Sequence, residues 1–177
     1  MQKIKFSIPD IKQSDLKTLN NIIKSGWLTH GKYTKEFEKK FSNYTNTKYS
    51  ALVSSCTAGL HLIFLSLNIK KGDEVIVPAQ THTATSHAVE YTGAKAVFVD
   101  VDAITGNILP EEINKKINNK TKAVVCVHMT GIPCQMDEIL KITKKNKIFL
   151  VEDCAHGLGT RYKNKHVGNY GIASSFS

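Results

Sequence analysis

Hydrophobic residues along the chain follow two alternating spacings, one typical of helices and one typical of buried strands. Residues 14–25 carry apolar side chains at helical spacing and are followed by Gly26, so a helix ending at that glycine is predicted. A second short helix is predicted after Thr34. From residue 49 onward, short apolar runs alternate with longer helical stretches, and the chain therefore has a regular strand–helix order.

The alternation predicts an α/β fold, with a mostly parallel sheet covered by helices on both faces. The predicted strands are apolar on both sides, as expected for strands buried between two helical layers. They comprise residues 51–53, 74–77, 95–99, 123–127 and 148–151, and the helices between them comprise residues 57–68, 81–91, 110–117 and 136–146. Helix 57–68 is apolar almost all round, which predicts that it is buried between layers. Residues 162–167 predict a short hairpin.

Composition and charge narrow the class of protein. The 177 residues are 41% hydrophobic and 22% charged, which excludes a disordered or low-complexity chain. The net charge of +9 comes from lysines scattered through helical stretches without interleaved aromatic residues, and this pattern favours a solvated surface over nucleic-acid binding. A basic face could still attract an acidic small substrate.

Neither a membrane segment nor a metal site is predicted. The longest nearly apolar run, residues 62–67, is too short to span a bilayer, and residues 1–6 do not have the apolar stretch of a secretory signal. A cytoplasmic location is therefore expected. The four cysteines form no C-x-x-C pair and have no zinc-finger spacing, which indicates reduced thiols.

Polar residues follow three of the predicted strands. Ligands bind at the carboxyl ends of strands in open α/β sheets, so these positions are candidate sites. Residues 54–59 are small residues at a helix start, which suits a phosphate, although Ser and Thr are equally good helix caps. Asp153 follows a buried strand and either faces the crevice or fixes a loop, and His82 either takes part in binding or is a satisfied polar residue. The P-loop and dinucleotide motifs are absent, which leaves a phosphate-bearing cofactor that is not a dinucleotide.

Seven segments together resemble the DegT/DnrJ/EryC1/StrS sugar aminotransferase family, whose members are pyridoxal-phosphate (PLP) enzymes of fold type I. They are residues 25–31, 56–61, 72–78, 93–100, 127–131, 152–157 and 175–177. The resemblance implies an N-terminal helical segment (residues 1–45) and a PLP-binding large domain (residues 46–177), incomplete because the chain ends before the family's Schiff-base lysine and its small C-terminal domain.

The resemblance also implies roles for individual residues. Thr57 and Ala58 match positions that hold the cofactor phosphate, and Ser177 matches a serine that also touches it. Asp153 matches the carboxylate that pairs with the pyridine nitrogen and is the one catalytic residue implied in this chain. His156 stands where the family often has Gln, near the phenolic oxygen. His82 stands where the family usually has an aromatic ring stacked on the pyridine.

The function implied is the transfer of an amino group, typically from glutamate, to a nucleotide-linked keto sugar in cell-surface polysaccharide or glycan biosynthesis, by a homodimer. Residues 1–177 alone are expected to be inactive. Two alternatives stay open, a related PLP-dependent nucleotide-sugar 3-dehydratase, in which His replaces the catalytic lysine, and a non-catalytic binding remnant.

Overall fold

The fold is built on a five-stranded parallel sheet, in a computed structural model that describes residues 8–177. The strands of this sheet are β1 (Glu74–Pro78), β2 (Lys95–Val99), β3 (Thr121–Val127), β4 (Phe149–Cys154) and β7 (Ala173–Phe176), and between the last two lies the antiparallel hairpin of β5 (Arg161–Tyr162) and β6 (Lys165–His166). The strand order is β2-β1-β3-β4-β7, and all four pairings are parallel. The predicted α/β class and the predicted hairpin are confirmed.

Helices cover both faces of the sheet, as predicted. The helices are α1 (Gln13–Lys24), α2 (Lys32–Thr45), α3 (Cys56–Ser66), α4 (Thr83–Glu90), α5 (Pro110–Lys116) and α6 (Met136–Asn146). Leu60 and Phe64 of α3 pack with Val89 of α4 in the core on one face. Ile113 of α5 and Ile139 of α6 belong to a second core on the other face. Strands β1 to β4 contribute alternate side chains to the two cores, because side chains along a strand point to opposite faces.

One side of α3 is exposed, which corrects the prediction that this helix is buried all round. Leu62 is 53% exposed and Leu65 is 49% exposed, whereas Leu60 and Phe64 are fully buried. The sheet lies on only one side of the helix in the part of the chain described here. Apolar residues all round a helix show that it can be covered, but they do not identify what covers the second side.

Two strand predictions also differ from the structure. Residues 51–53 form no strand, and the sheet instead gains β7, which was not predicted. β7 reads Ala-Ser-Ser-Phe and has too few apolar residues to stand out as a buried strand. β4 extends to Cys154, so Glu152 and Asp153 are among the last residues of the strand and do not follow it.

The N-terminal helices lie outside the two cores. α1 has no buried residue, and Thr45 is the only buried residue of α2. α2 contacts the sheet at its β7 edge, where the rings of Phe41 and Phe176 meet edge to face at 5.1 Å. Gly26 has a φ of 70°, which suits the glycine that was predicted to end α1.

No helix within residues 8–177 has the length and the apolar character needed to cross a membrane. Residues 1–6, on which the expectation about a secretory signal rests, lie outside the described residues.

Candidate active site

The carboxylate of Asp153 is buried at the carboxyl end of β4 and is held from three sides. Oδ2 accepts a hydrogen bond from the hydroxyl of Thr85 on α4, at 2.8 Å. Oδ1 accepts from the backbone N–H of Ala155 at 3.1 Å and from the thiol of Cys56 at 3.6 Å. The residue is only 5% exposed. An acidic group with this many donors is fixed in direction and can present one charge to a ligand at the sheet edge.

The start of α3 lies beside this carboxylate, as the Cys56 contact shows. Ser55 is the helix cap, and its hydroxyl accepts from the N–H of Ala58 at 3.1 Å. Thr57 lies in the same first turn and is partly buried. The first N–H groups of a helix have no partner within the helix, so this turn suits an anion. Thr57 and Ala58 are the two residues of this turn that were predicted to bind phosphate, and the N–H of Ala58 already caps the helix by donating to Ser55.

Cys56 stays a neutral thiol in this position. Burial, followed by the negative charge of Asp153, raises the pKa of Cys56 to about 12. At neutral pH the thiol therefore keeps its proton and can donate a hydrogen bond to the carboxylate. Cys56 supports Asp153 as a weak donor and is unsuited to act as a thiolate nucleophile.

Ser177, the third predicted phosphate contact, lies at the exposed end of the chain just after β7. The serine that contacts α3 is instead Ser175, whose hydroxyl donates to the carbonyl of Cys56 at 3.0 Å. Ser175 is the register partner of Asp153 in the neighbouring strand. β7 therefore brings the residues around Ser177 to the same edge of the sheet as Asp153 and the start of α3.

Gly59 allows α3 to approach β7 this closely. A Cβ at Gly59 would lie 2.3 Å from Oγ and 3.3 Å from Cβ of Ser175. In an ordinary helix Gly→Ala stabilises by about 1 kcal/mol. Here we expect Gly59→Ala to destabilise by about 1–3 kcal/mol, as for overpacked cores, and to break the Ser175–Cys56 bond.

Thermal unfolding of Gly59→Ala and of the double variant Gly59→Ala/Ser175→Ala tests this contact. The double variant loses the clashing hydroxyl and should recover most of the lost stability. A single variant that unfolds at or above the wild-type temperature would show that the approach is not tight.

The two predicted site histidines are both fixed by backbone N–H groups. Nδ1 of His82 accepts from Ala84 at 3.1 Å and caps α4. Nδ1 of His156 accepts from Thr130 at 3.3 Å. In each neutral ring the proton therefore sits on Nε2, and the exposed ring can offer that N–H as a donor.

Glu152, the neighbour of Asp153, points to the other side of the sheet and is fully buried. Its Oε1 accepts from the backbone N–H groups of Tyr170 at 2.7 Å and Gly171 at 2.6 Å. Its Oε2 accepts from Gly168 N–H at 2.7 Å and pairs with Nε2 of His128 at 3.2 Å. Burial alone would raise the pKa of Glu152, but the bonds from His128, Gly171 and Gly168 outweigh it and hold the pKa below its ordinary value. Glu152 thereby ties the segment before β7 to β4.

His128, Glu152 and Cys154 have potential metal ligand atoms within 4.8 Å of one another. However, four donors already occupy the two oxygens of Glu152. Burial, followed by the charges of Glu152 and Asp153, raises the pKa of Cys154 well above its ordinary value, so its thiol stays protonated. A metal would have to displace backbone bonds and a proton, and the cluster fits a hydrogen-bond network better.

All six predicted site residues therefore lie at or beside the carboxyl ends of the strands. Direct contact joins Asp153 to the start of α3 and to α4, the helix that His82 caps. Sequence reasoning missed Thr85 and Ser175. For Thr85 a signal existed, since Thr81 and Thr85 are four residues apart and share one side of the predicted helix.

Solved structures similar to this chain carry the same fold. A protein of Streptococcus pneumoniae assigned as a sugar aminotransferase, Spr1654, in its PLP form, superposes with a TM-score of 0.95 and 36% identity over 99% of this chain and 49% of that chain. GDP-4-keto-6-deoxymannose-3-dehydratase with bound GDP-perosamine superposes with a TM-score of 0.89 and 32% identity over 95% of this chain and 45% of that chain. The chain therefore has the fold of PLP-dependent aminotransferases of fold type I.

The chain belongs to the DegT/DnrJ/EryC1/StrS aminotransferase family, whose sequence profile matches residues 9–177. It is also 41% identical to GDP-perosamine synthase of Escherichia coli O157:H7, over 100% of this chain and 49% of that protein. The chain spans about half the length of the curated relatives it matches.

Proposed function

We propose that the full-length gene product containing this chain is a PLP-dependent aminotransferase that moves an amino group from an amino acid, such as glutamate, to a nucleotide-linked keto sugar. The product would serve cell-surface polysaccharide or glycan biosynthesis. The observation that carries the proposal is the contact between the buried Asp153 carboxylate and the start of α3, at the carboxyl edge of the sheet in a chain of this family.

The residues at this edge fit the cofactor's two charged ends. A phosphate suits the N-terminal turn of α3, with the hydroxyl of Thr57, the N–H of Ala58 and the hydroxyl of Ser177 as proposed donors. The N–H of Ala58 would then be shared with Ser55, which already accepts it. A protonated ring nitrogen suits the fixed carboxylate of Asp153, because an opposite charge favours the charged form of its partner.

Bound PLP supplies an electron sink at the carbon that gains or loses the amine. Asp153 would keep the ring nitrogen protonated, which that sink requires. The Nε2–H of His156 would donate to the phenolic oxygen, and the ring of His82 would lie against the pyridine. His82 is expected to stack more weakly than a Trp or Tyr, because an imidazole offers a smaller face.

The wider proposal concerns assembly and location. Leu62 and Leu65, exposed on α3, support an assembly that covers them, and we propose a homodimer. We also propose that the protein acts in the cytoplasm and binds neither nucleic acid nor membrane. Residues 1–177 alone are expected to be inactive, because the catalytic lysine implied by the family resemblance is not among them.

The proposal is tested with the full-length gene product, PLP, ¹⁵N-glutamate and a panel of nucleotide-linked 4-keto sugars. We expect ¹⁵N in the sugar product by mass spectrometry and 2-oxoglutarate in equal amount. A protein that binds PLP but transfers no nitrogen to any keto sugar would contradict the proposal.

A second candidate is a PLP-dependent nucleotide-sugar 3-dehydratase, which the similarity to GDP-4-keto-6-deoxymannose-3-dehydratase supports. The same assay separates the two functions, since a dehydratase would give a 3-deoxy keto sugar that has lost one oxygen atom and carries no ¹⁵N. Glutamate would supply the two electrons, and its nitrogen would leave as ammonia. A protein that binds no PLP would favour the third alternative, a non-catalytic remnant.

A further inference from the structure

Two threonine hydroxyls, that of Thr81 just before α4 and that of Thr85 in its first turn, form a chain that ends on the carboxylate of Asp153. Oγ1 of Thr81 and Oγ1 of Thr85 lie 2.8 Å apart, and Oγ1 of Thr85 lies 2.8 Å from Oδ2 of Asp153. Thr85 is fully buried and Asp153 is 5% exposed. The chain therefore lies in a protected environment, where a hydrogen bond to a charged group is strong.

The direction of these hydrogen bonds follows from the chemistry of the groups. An ionised carboxylate can only accept hydrogen bonds, so the hydroxyl of Thr85 donates its hydrogen bond to Asp153. The oxygen of Thr85 is then free to accept, so Thr81 donates to Thr85. The hydrogen bond from Thr81 polarises the hydroxyl of Thr85, and this strengthens the bond from Thr85 to the carboxylate.

The hydroxyl of Thr85 also complements the other two donors. Ala155 and Cys56 both donate to Oδ1, whereas Thr85 is the donor to Oδ2 within the described residues. Without Thr85 the carboxylate would be held at one oxygen alone. It could then rotate about χ2, because the χ2 angle of aspartate has a broad distribution. Thr85 thus determines the direction in which the charge of Asp153 points.

We infer that Thr85, supported by Thr81, is a positioning residue that holds the Asp153 carboxylate toward the ring nitrogen of the cofactor. This inference rests on the proposed function. It assigns to α4 a role beyond carrying His82, since the same helix holds the carboxylate of Asp153 in place.

The test compares cofactor affinity among variants of the full-length gene product by absorption titration with PLP. Thr85→Val keeps the shape and removes the hydroxyl, and we expect its dissociation constant for PLP to rise about tenfold. Thr85→Ser keeps the hydroxyl and should stay within about twofold of wild type. The matched control is Thr143→Val, because Thr143 is a buried helical threonine of α6 whose hydroxyl, within the described residues, donates only to the carbonyl of Leu140. This variant should leave the dissociation constant unchanged.

A double variant tests whether Thr85 acts through Asp153. In an Asp153→Ala background, Thr85→Val should cause no further loss of PLP affinity. If Thr85→Val proves unfolded by circular dichroism, Thr81→Val decides instead, with an expected rise in the dissociation constant of about threefold. The rise is smaller because Thr85 keeps its bond to Asp153.

The outcomes separate this inference from the proposed function. If wild type binds PLP and Thr85→Val binds it equally well, or if Thr85→Ser is as weak as Thr85→Val, the inference is overturned and the proposed function stands. The inference is also overturned if Thr85→Val lowers PLP affinity by the same factor in the wild-type and in the Asp153→Ala background. If the wild-type protein binds no PLP, the proposed function fails and the inference fails with it.

Discussion

Asp153→Asn should lower the kcat of amino transfer by about 10³-fold while the protein still binds PLP through its phosphate. A carboxylate about 4 Å from a cationic ring nitrogen contributes about 4 kcal/mol at an effective dielectric near 20. Each 1.36 kcal/mol corresponds to a tenfold change in rate. The amide of asparagine has no charge to keep the ring nitrogen protonated, and its NH₂ group would also oppose one of the donors that now surround the carboxylate.

The measurement is steady-state transfer by the full-length gene product, together with its PLP content after alkaline release. Asp137→Asn is the matched control, because Asp137 is an exposed aspartate of α6 that pairs with Lys163. It should leave kcat unchanged. An Asp153→Asn protein with near-normal turnover would remove the role assigned to Asp153.

Glu152→Gln should cause the largest loss of stability, about 3–5 kcal/mol, the cost of breaking a buried charged pair. A glutamine has one accepting oxygen in place of two. Its NH₂ group would face either Tyr170 and Gly171 or Gly168 and His128, so buried N–H groups would lose their acceptor. The segment before β7 should then detach from β4.

Hydrogen exchange measured by mass spectrometry on peptides covering residues 168–171 reports this detachment directly. We expect fast exchange there in Glu152→Gln and wild-type protection in Glu90→Gln, a control at an exposed glutamate of α4. Unchanged protection in Glu152→Gln would show that the backbone bonds to this carboxylate contribute little.

The lowered pKa of the Glu152 carboxylate should make the wild-type protein sensitive to acid. Its pKa is lowered in the folded state, so its contribution to stability is complete above the unfolded value of about 4.3 and is lost as the pH falls below that value. Glu152→Gln has no such group to protonate, and its stability should depend less on pH in this range.

The parallel sheet was predictable because its inner strands are buried on both faces and leave continuous apolar runs in the sequence. β7 was not, since an edge strand of Ala, Ser, Ser and Phe has no such signal and is recognised only by its pairing with β4. Residues 51–53 are apolar enough for a strand but pair with no other strand of residues 8–177. Apolar character alone does not supply the hydrogen bonds that define a strand.

The sequence predicted that Asp153 and the start of α3 share one edge of the sheet, and they are in contact there, although Asp153 lies within β4 and, among the described residues, no strand precedes α3. The spacing of Thr81 and Thr85 was a signal that these two hydroxyls are close, but the contacts of Thr85 with Asp153 and of Ser175 with Cys56 were not predictable, because each spans more than 60 residues of sequence. Glu152 and Asp153 also illustrate the limit of sequence adjacency. The two neighbours point to opposite faces of β4, so one acid faces the site while the other fixes the fold.

The most direct test is a crystal structure of the full-length gene product soaked with PLP. We expect the pyridine nitrogen within hydrogen-bonding distance of the Asp153 carboxylate and the phosphate at the N-terminal turn of α3. A ring nitrogen bound elsewhere, or a phosphate far from Thr57, would contradict this expectation.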